Sequence, residues 1–225
     1  RTFEGDPGPV RTLTVARDGE ALWTGDAYGT VQQWDVSSGE KVATYVANPE
    51  GEWLVFTPDG YFDASSGGAH MVAGVQGLRS FHIDQLAVSH NRPDIILERL
   101  GKASPALVQH FRTEHERRKK KLGVTQEGPA STVDLPTARF SAVVPDKSKD
   151  TATVSGEVTD EAGLKSYQIY MDGVPQFPGV GKPVSGLSHS LRATVPLLGG
   201  ANKIELSAMN LAGQESMRAI RSVQH

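Results

Sequence analysis

Along the first 76 positions, short apolar-rich runs are separated by turns rich in glycine, aspartate and serine. Residues 10–16, 21–25, 30–36 and 41–46 read as four strands. The turns between them are Arg17-Asp18-Gly19-Glu20, Asp26-Ala27-Tyr28-Gly29 and Ser37-Ser38-Gly39-Glu40. Short strands at regular spacing with such turns predict antiparallel sheet. Residues 53–57 and 61–64 form a further pair about the turn Pro58-Asp59-Gly60, and residues 71–75 a last short strand.

The period then changes. Arg92-Pro93-Asp94 opens a helix, with proline in its first turn and Asp94 at the positive end of its dipole. Ile95, Ile96, Leu97 and Leu100 supply the apolar face, and Gly101 stops it. Ser104-Pro105 starts a second helix, in which Leu107 and Phe111 lie four apart on one face. Beyond Arg112 the sequence is nearly all polar. Residues 123–136 carry Gly, Pro, Ser and Thr without apolar periodicity and read as a linker.

From 137 to 225 alternation returns. Ala152, Val154, Gly156 and Val158 share one face, as do Tyr167, Ile169 and Met171. Leu187, His189, Leu191, Ala193, Val195 and Leu197 make the longest alternating set, and Ile204, Leu206 and Ala208 face inward on the next strand. Period-2 patterning over such a length without helices predicts an antiparallel β-sandwich. The fold class is therefore mainly β. The expected parts are a sheet region at 1–76, a helical connector at 77–122, a linker at 123–136 and a sandwich at 137–225.

Composition narrows the chemistry. A net charge of -3 gives no general reason to expect nucleic acid or a membrane surface. There is no cysteine, which excludes a disulfide, a thiolate zinc site and a cysteine nucleophile within this chain. It also fits a reducing compartment, so cytoplasm is the expected location. The chain opens on Arg1 inside a β pattern, which reads as a piece of a longer protein.

Two resemblances sharpen the reading. The order from Val10 through Trp23-Thr24-Gly25 to Trp34-Asp35 resembles one WD repeat of a β-propeller. It departs from the pattern at Gly5-Asp6, where a Gly-His pair is expected, and at Tyr28, where a turn acid is expected. The resemblance thus implies an incomplete polar tetrad in which Thr24 and Trp34 remain. The segment from Trp53 through Pro58-Asp59-Gly60-Tyr61-Phe62 to Ser65, followed by Asn91-Arg92-Pro93-Asp94-Ile95-Ile96-Leu97-Glu98-Arg99-Leu100, resembles a bacterial architecture. There a WD-repeat propeller precedes an Ig-like domain and a caspase-like peptidase domain. Residues 200–213, from Gly200 through Asn202-Lys203-Ile204-Glu205-Leu206 to Ala212-Gly213, are similar to the last hairpin of cysteine-free bacterial Ig-like domains.

Candidate sites are few. Residues 92–121 hold nine Lys or Arg against four Asp or Glu. The run Arg117, Arg118, Lys119, Lys120, Lys121 is a candidate partner-docking or protease-sensitive segment, against the plainer reading of a solvated helix end near the negative pole of the dipole. No aromatics interleave with it, so a nucleic-acid surface is not expected. His70, His82, Asp84, His90, His110 and His115 match no compact metal-ligand spacing. Gly179-Val180-Gly181-Lys182 imitates a phosphate loop, but Gln176 and Pro183 stand where such a loop needs glycine and a hydroxyl. No catalytic residue, metal or cofactor is expected. The resemblances imply a non-catalytic scaffold that senses or spaces for an adjacent caspase-like protease, with protein partners and neighbouring domains of the same parent. The alternatives are a stand-alone module gripping a carbohydrate or cell-surface ligand near Tyr170 and Phe177, or a substrate cut by a partner protease.

Overall fold

The computed structural model describes residues 3, 8–76, 79–124 and 135–225. The chain is mainly β, with antiparallel sheets and few helices, and it divides into two compact units that meet in sequence near residue 118.

The first unit is built on one antiparallel meander. Strands β1 (Val10–Val15), β2 (Ala21–Asp26), β3 (Thr30–Asp35), β4 (Lys41–Ala47), β5 (Trp53–Phe56) and β6 (Phe62–Ala64) lie in chain order, each hydrogen-bonded to the next. The pair β5 and β6 therefore widens the four-stranded sheet to six. A hairpin of β7 (Ala73–Gln76) and β8 (Arg79–His82) follows; its second strand was not legible in the sequence. Then come the short helix α1 (Ala87–His90) and the helices α2 (Pro93–Leu100) and α3 (Pro105–Leu122).

Helix α2 closes the β6 edge. The amide of Arg92 donates to the Phe62 carbonyl, and Phe62 and Asn91 form a parallel bridge. Ile96 then packs with Ala43 and Val55, with Val42, Tyr45 and Leu100 around them. Gly101 adopts the left-handed conformation (φ 66°) as the expected helix stop, and its amide donates to the Leu97 and Glu98 carbonyls. The expected apolar face of α3 is corrected. Leu107 is exposed, whereas Val108 and His115 are buried.

The second unit is a sandwich. One sheet has the order β14 (Ser188–Pro196), β10 (Thr151–Thr159), β9 (Thr137–Asp146). The other runs β12 (Val174–Pro175), β11 (Leu164–Met171), β15 (Ala201–Asn210), β16 (Ala219–Gln224), with β13 (Lys182–Pro183) also paired to β11. Ala152, Val154 and Leu191 of the first sheet meet Ile169, Ile204 and Leu206 of the second in one core. This is the inward set that the alternation predicts, except for Leu187, which is 61% exposed. Its carbonyl instead accepts from the Asp160 amide, just ahead of β14.

Both faces of β11 are buried, which alternation alone did not foretell. The Gln168 side chain donates to the Phe177 carbonyl and accepts from the Phe177 amide, while the Ser166 hydroxyl donates to the Val180 carbonyl. The stretch from 176 to 183 is thus pinned along β11. Gly181 (φ 106°) lets the backbones approach, since a Cβ there would lie 2.2 Å from the Tyr167 carbonyl oxygen.

Candidate interaction surface of the first unit

Trp34 is the anchor of the sheet. Its ring is buried, and its indole N–H donates to the Thr24 hydroxyl at 3.0 Å. These are the two tetrad members that the WD-repeat resemblance leaves in place; Gly5 and Asp6 lie outside the described residues. Where Tyr28 replaces the turn acid, Asp26 holds the β2–β3 turn instead. Its carboxylate accepts from the amides of Tyr28 and Thr30 and from the Thr30 hydroxyl, and the last of these contributes most to holding its pKa low. Removing only the hydroxyl, in Thr24→Val, leaves a buried indole N–H unpaired. It is expected to destabilise the first unit by about 1–3 kcal/mol. All three tryptophans (Trp23, Trp34 and Trp53) belong to this unit, so urea unfolding followed by their emission measures the loss.

At the other end of the sheet, every residue of β1 is exposed. Val10, Leu13 and Val15 stand 59, 66 and 55% exposed, and Val31 of β3 is 40% exposed. By contrast, Ala43 and Thr44 of β4 are buried, with helix α2 and β5 beside them. Single exposed apolar residues are ordinary, whereas several on one strand make β1 a candidate interaction surface.

The basic run does not behave as one solvated cluster. Arg117 is exposed and pairs with Glu114, and Lys120 and Lys121 are exposed. Lys119 is partly buried in the last turns of α3. Arg118 is half-buried, and its guanidinium donates to the Asn91 carbonyl at 2.7 Å and to His115 Nδ1 at 3.1 Å. Reading all five residues as a solvated helix end is therefore corrected at Arg118, which ties α3 to the start of α2. The tie makes His115 Nδ1 an acceptor, so the ring is neutral with its proton on Nε2. Burial, together with the cations Arg92 and Arg118, lowers the His115 pKa to about 4.

A pH dependence follows. The unfolded ring titrates near its ordinary value of about 6.5, above the folded value, so between the two the unfolded chain binds more protons. The His115 contribution is full above about pH 6.5 and declines as pH falls toward 4. His115→Gln is expected to flatten the urea midpoint of the first unit across that window; an unchanged slope contradicts the assignment.

An ion network centred on the buried Asp94 joins α2 to α3. Asp94 is wholly buried and accepts from Arg92 at 2.9 and 2.8 Å, with Arg112 Nε at 3.5 Å. Arg112 also pairs with Glu98 at 3.0 Å. Burial pushes the Asp94 pKa up, but these cations and the Ile95 amide outweigh it and hold the carboxyl below its ordinary value. His70 comes within 3.9 Å of Asp84, with the His82 ring 6.2 Å away. Among the described residues, no group of three such side chains could hold a metal.

In the second unit, the residues of the carbohydrate alternative are otherwise engaged. Phe177 packs edge-on against the core residue Tyr167, and the Arg218 guanidinium covers the Tyr170 ring at 3.8 Å. Lys182 lies in the two-residue strand β13, and Gly181 serves the backbone approach described above.

These features define a mainly β chain whose first sheet is a six-stranded meander pinned by a Trp34–Thr24 hydrogen bond. Over 93 residues, 41% of this chain, it is 30% identical to eukaryotic translation initiation factor 3 subunit I of Phaeosphaeria nodorum, a WD-repeat protein. The matched stretch is 25% of that protein, so the chain spans about a quarter of its relative's length. No family model matches the chain. No helix among the described residues is long and apolar enough to cross a membrane.

Proposed function

We propose that this chain is a non-catalytic interaction scaffold, the tail of a WD-repeat propeller joined by a helical connector to an Ig-like sandwich. The observation that carries it is β1, a strand whose Val10, Leu13 and Val15 lie open on a sheet otherwise held by Trp34 and α2. Propeller blades bury such faces against one another, so the occupant is a neighbouring blade of the same parent protein. The likeness to a subunit of a translation initiation factor supports a role in protein assembly. We divide the chain as sheet region 1–76, connector 77–122, linker 123–136 and sandwich 137–225.

The finer reading is that this scaffold senses or spaces for an adjacent caspase-like protease. Its support is the motif order, from Trp53 to Ser65 and then from Asn91 to Leu100. The intact mass and reading frame of the parent protein test it. Blades before residue 1 and a domain with paired His and Cys after residue 225 are expected. A frame with blades but no effector domain removes the protease and leaves the scaffold. A frame with no further WD repeat removes the propeller itself.

A further inference from the structure

One end of the six-stranded sheet gathers the turn between β1 and β2, the turn between β3 and β4, the turn between β5 and β6, and the C-terminus of α2. Two hollows open among them, of about 640 and 400 Å3, and both are lined by Trp34 and Arg99. Trp23 and Tyr45 wall the smaller one, their rings 5.3 Å apart. The linings hold five carboxylates (Asp18, Glu20, Asp35, Glu40 and Asp59) against three cations.

The cations are already engaged. Arg99 makes a bidentate pair with Asp59 at 2.6 Å, Lys102 reaches Asp18 at 3.4 Å, and Lys41 lies 5.9 Å over the Trp34 ring. Among the described residues, Glu20, Asp35 and Glu40 have no cationic partner. Hydrogen bonds from Ser37 and Ser38 hold Asp35 at about 2, so it stays ionised. The negative pole of α2 ends at the same place. The half-buried rings of Trp23 and Tyr45, the unmatched carboxylates and a helix C-terminus all favour positive charge. Lys41 over Trp34 is the chain's own instance of that preference.

We propose that this end of the sheet binds an arginine or lysine side chain of a protein partner, an inference that rests on the scaffold reading above. Two of the three tryptophans line the hollows, so their emission reports occupancy directly. The test titrates the chain with a capped Gly-Arg-Gly peptide at millimolar concentration, and with its lysine, citrulline and glutamate counterparts. A saturable change is expected with arginine and lysine only. The exposed double variant Glu20→Gln, Glu40→Gln, with an unchanged urea midpoint, should weaken it about twofold to fivefold, the span of one or two exposed ion pairs. No change with the basic peptides, an equal change with citrulline or glutamate, or full binding by the variant overturns the site. Repeating the titration on the parent protein separates this from the wider reading. Response in the chain but none in the parent means that a blade fills the hollows, which overturns the site and leaves the scaffold intact.

Discussion

Arg92→Ala is expected to destabilise the first unit by about 3–5 kcal/mol, because it strips the bidentate partner from a carboxylate that has no access to water. Asp94 is wholly buried, and Arg112 Nε at 3.5 Å cannot replace two bonds under 3 Å. The loss also releases a packing contact, since the Arg92 guanidinium lies 5.9 Å from the Tyr61 ring centre. Urea unfolding followed by tryptophan emission reads the change. Asp94→Asn in the Arg92→Ala background should recover part of it, because the uncompensated charge is gone. If the single variant unfolds within about 0.5 kcal/mol of the unsubstituted chain, a margin typical of surface substitutions, the network does not hold α2 and α3 together.

Leu206→Ala is the second large effect, in the other unit. Leu206 is wholly buried between the sheets, and removing its branched side chain leaves a cavity costing about 2–5 kcal/mol. The sandwich contains no tryptophan, so this transition is followed by far-ultraviolet circular dichroism. The two cores share no residue, so the tryptophan-reported transition should stay in place. Movement of both transitions together would contradict the division of the chain proposed above.

Most of the strands were legible because their period is imposed by one solvated and one buried face. Ala152, Val154 and Val158 alternate because β10 has a core on one side only. Thr24 and Trp34 were legible as a pair through the WD-repeat pattern, and their hydrogen bond follows from the register that sets Leu22 opposite Trp34. What escaped the sequence depends on partners distant along the chain. Arg118 sits in a run of like charges, and nothing local distinguishes it from Arg117; its acceptor, the Asn91 carbonyl, lies 27 residues away. His115 is buried by the same long-range packing. Gln168 falls between the inward residues Tyr167 and Ile169 of β11, yet it too is buried, and its amide is matched on both sides by the Phe177 backbone, so a polar side chain faces protein at no loss of hydrogen bonding. Leu187 failed for a simpler reason: the alternation was extended one residue beyond the strand into a turn.

The surface that matters most for function is the one alternation describes least. In β1 an apolar residue recurs with no core on either side, so pattern identifies the strand and leaves its cover unstated. The scaffold reading assigns that cover to a neighbouring blade, and the absence of cysteine allows a direct test. Leu13→Cys places a single thiol at the centre of β1. Its alkylation rate is followed by mass spectrometry of the peptide that holds residue 13, in this chain and in the parent protein, both in native buffer. Fast reaction in the chain and a many-fold slower reaction in the parent is the result that a covering blade requires. Equal, fast reaction in both would show that β1 stays open and would contradict the scaffold assignment.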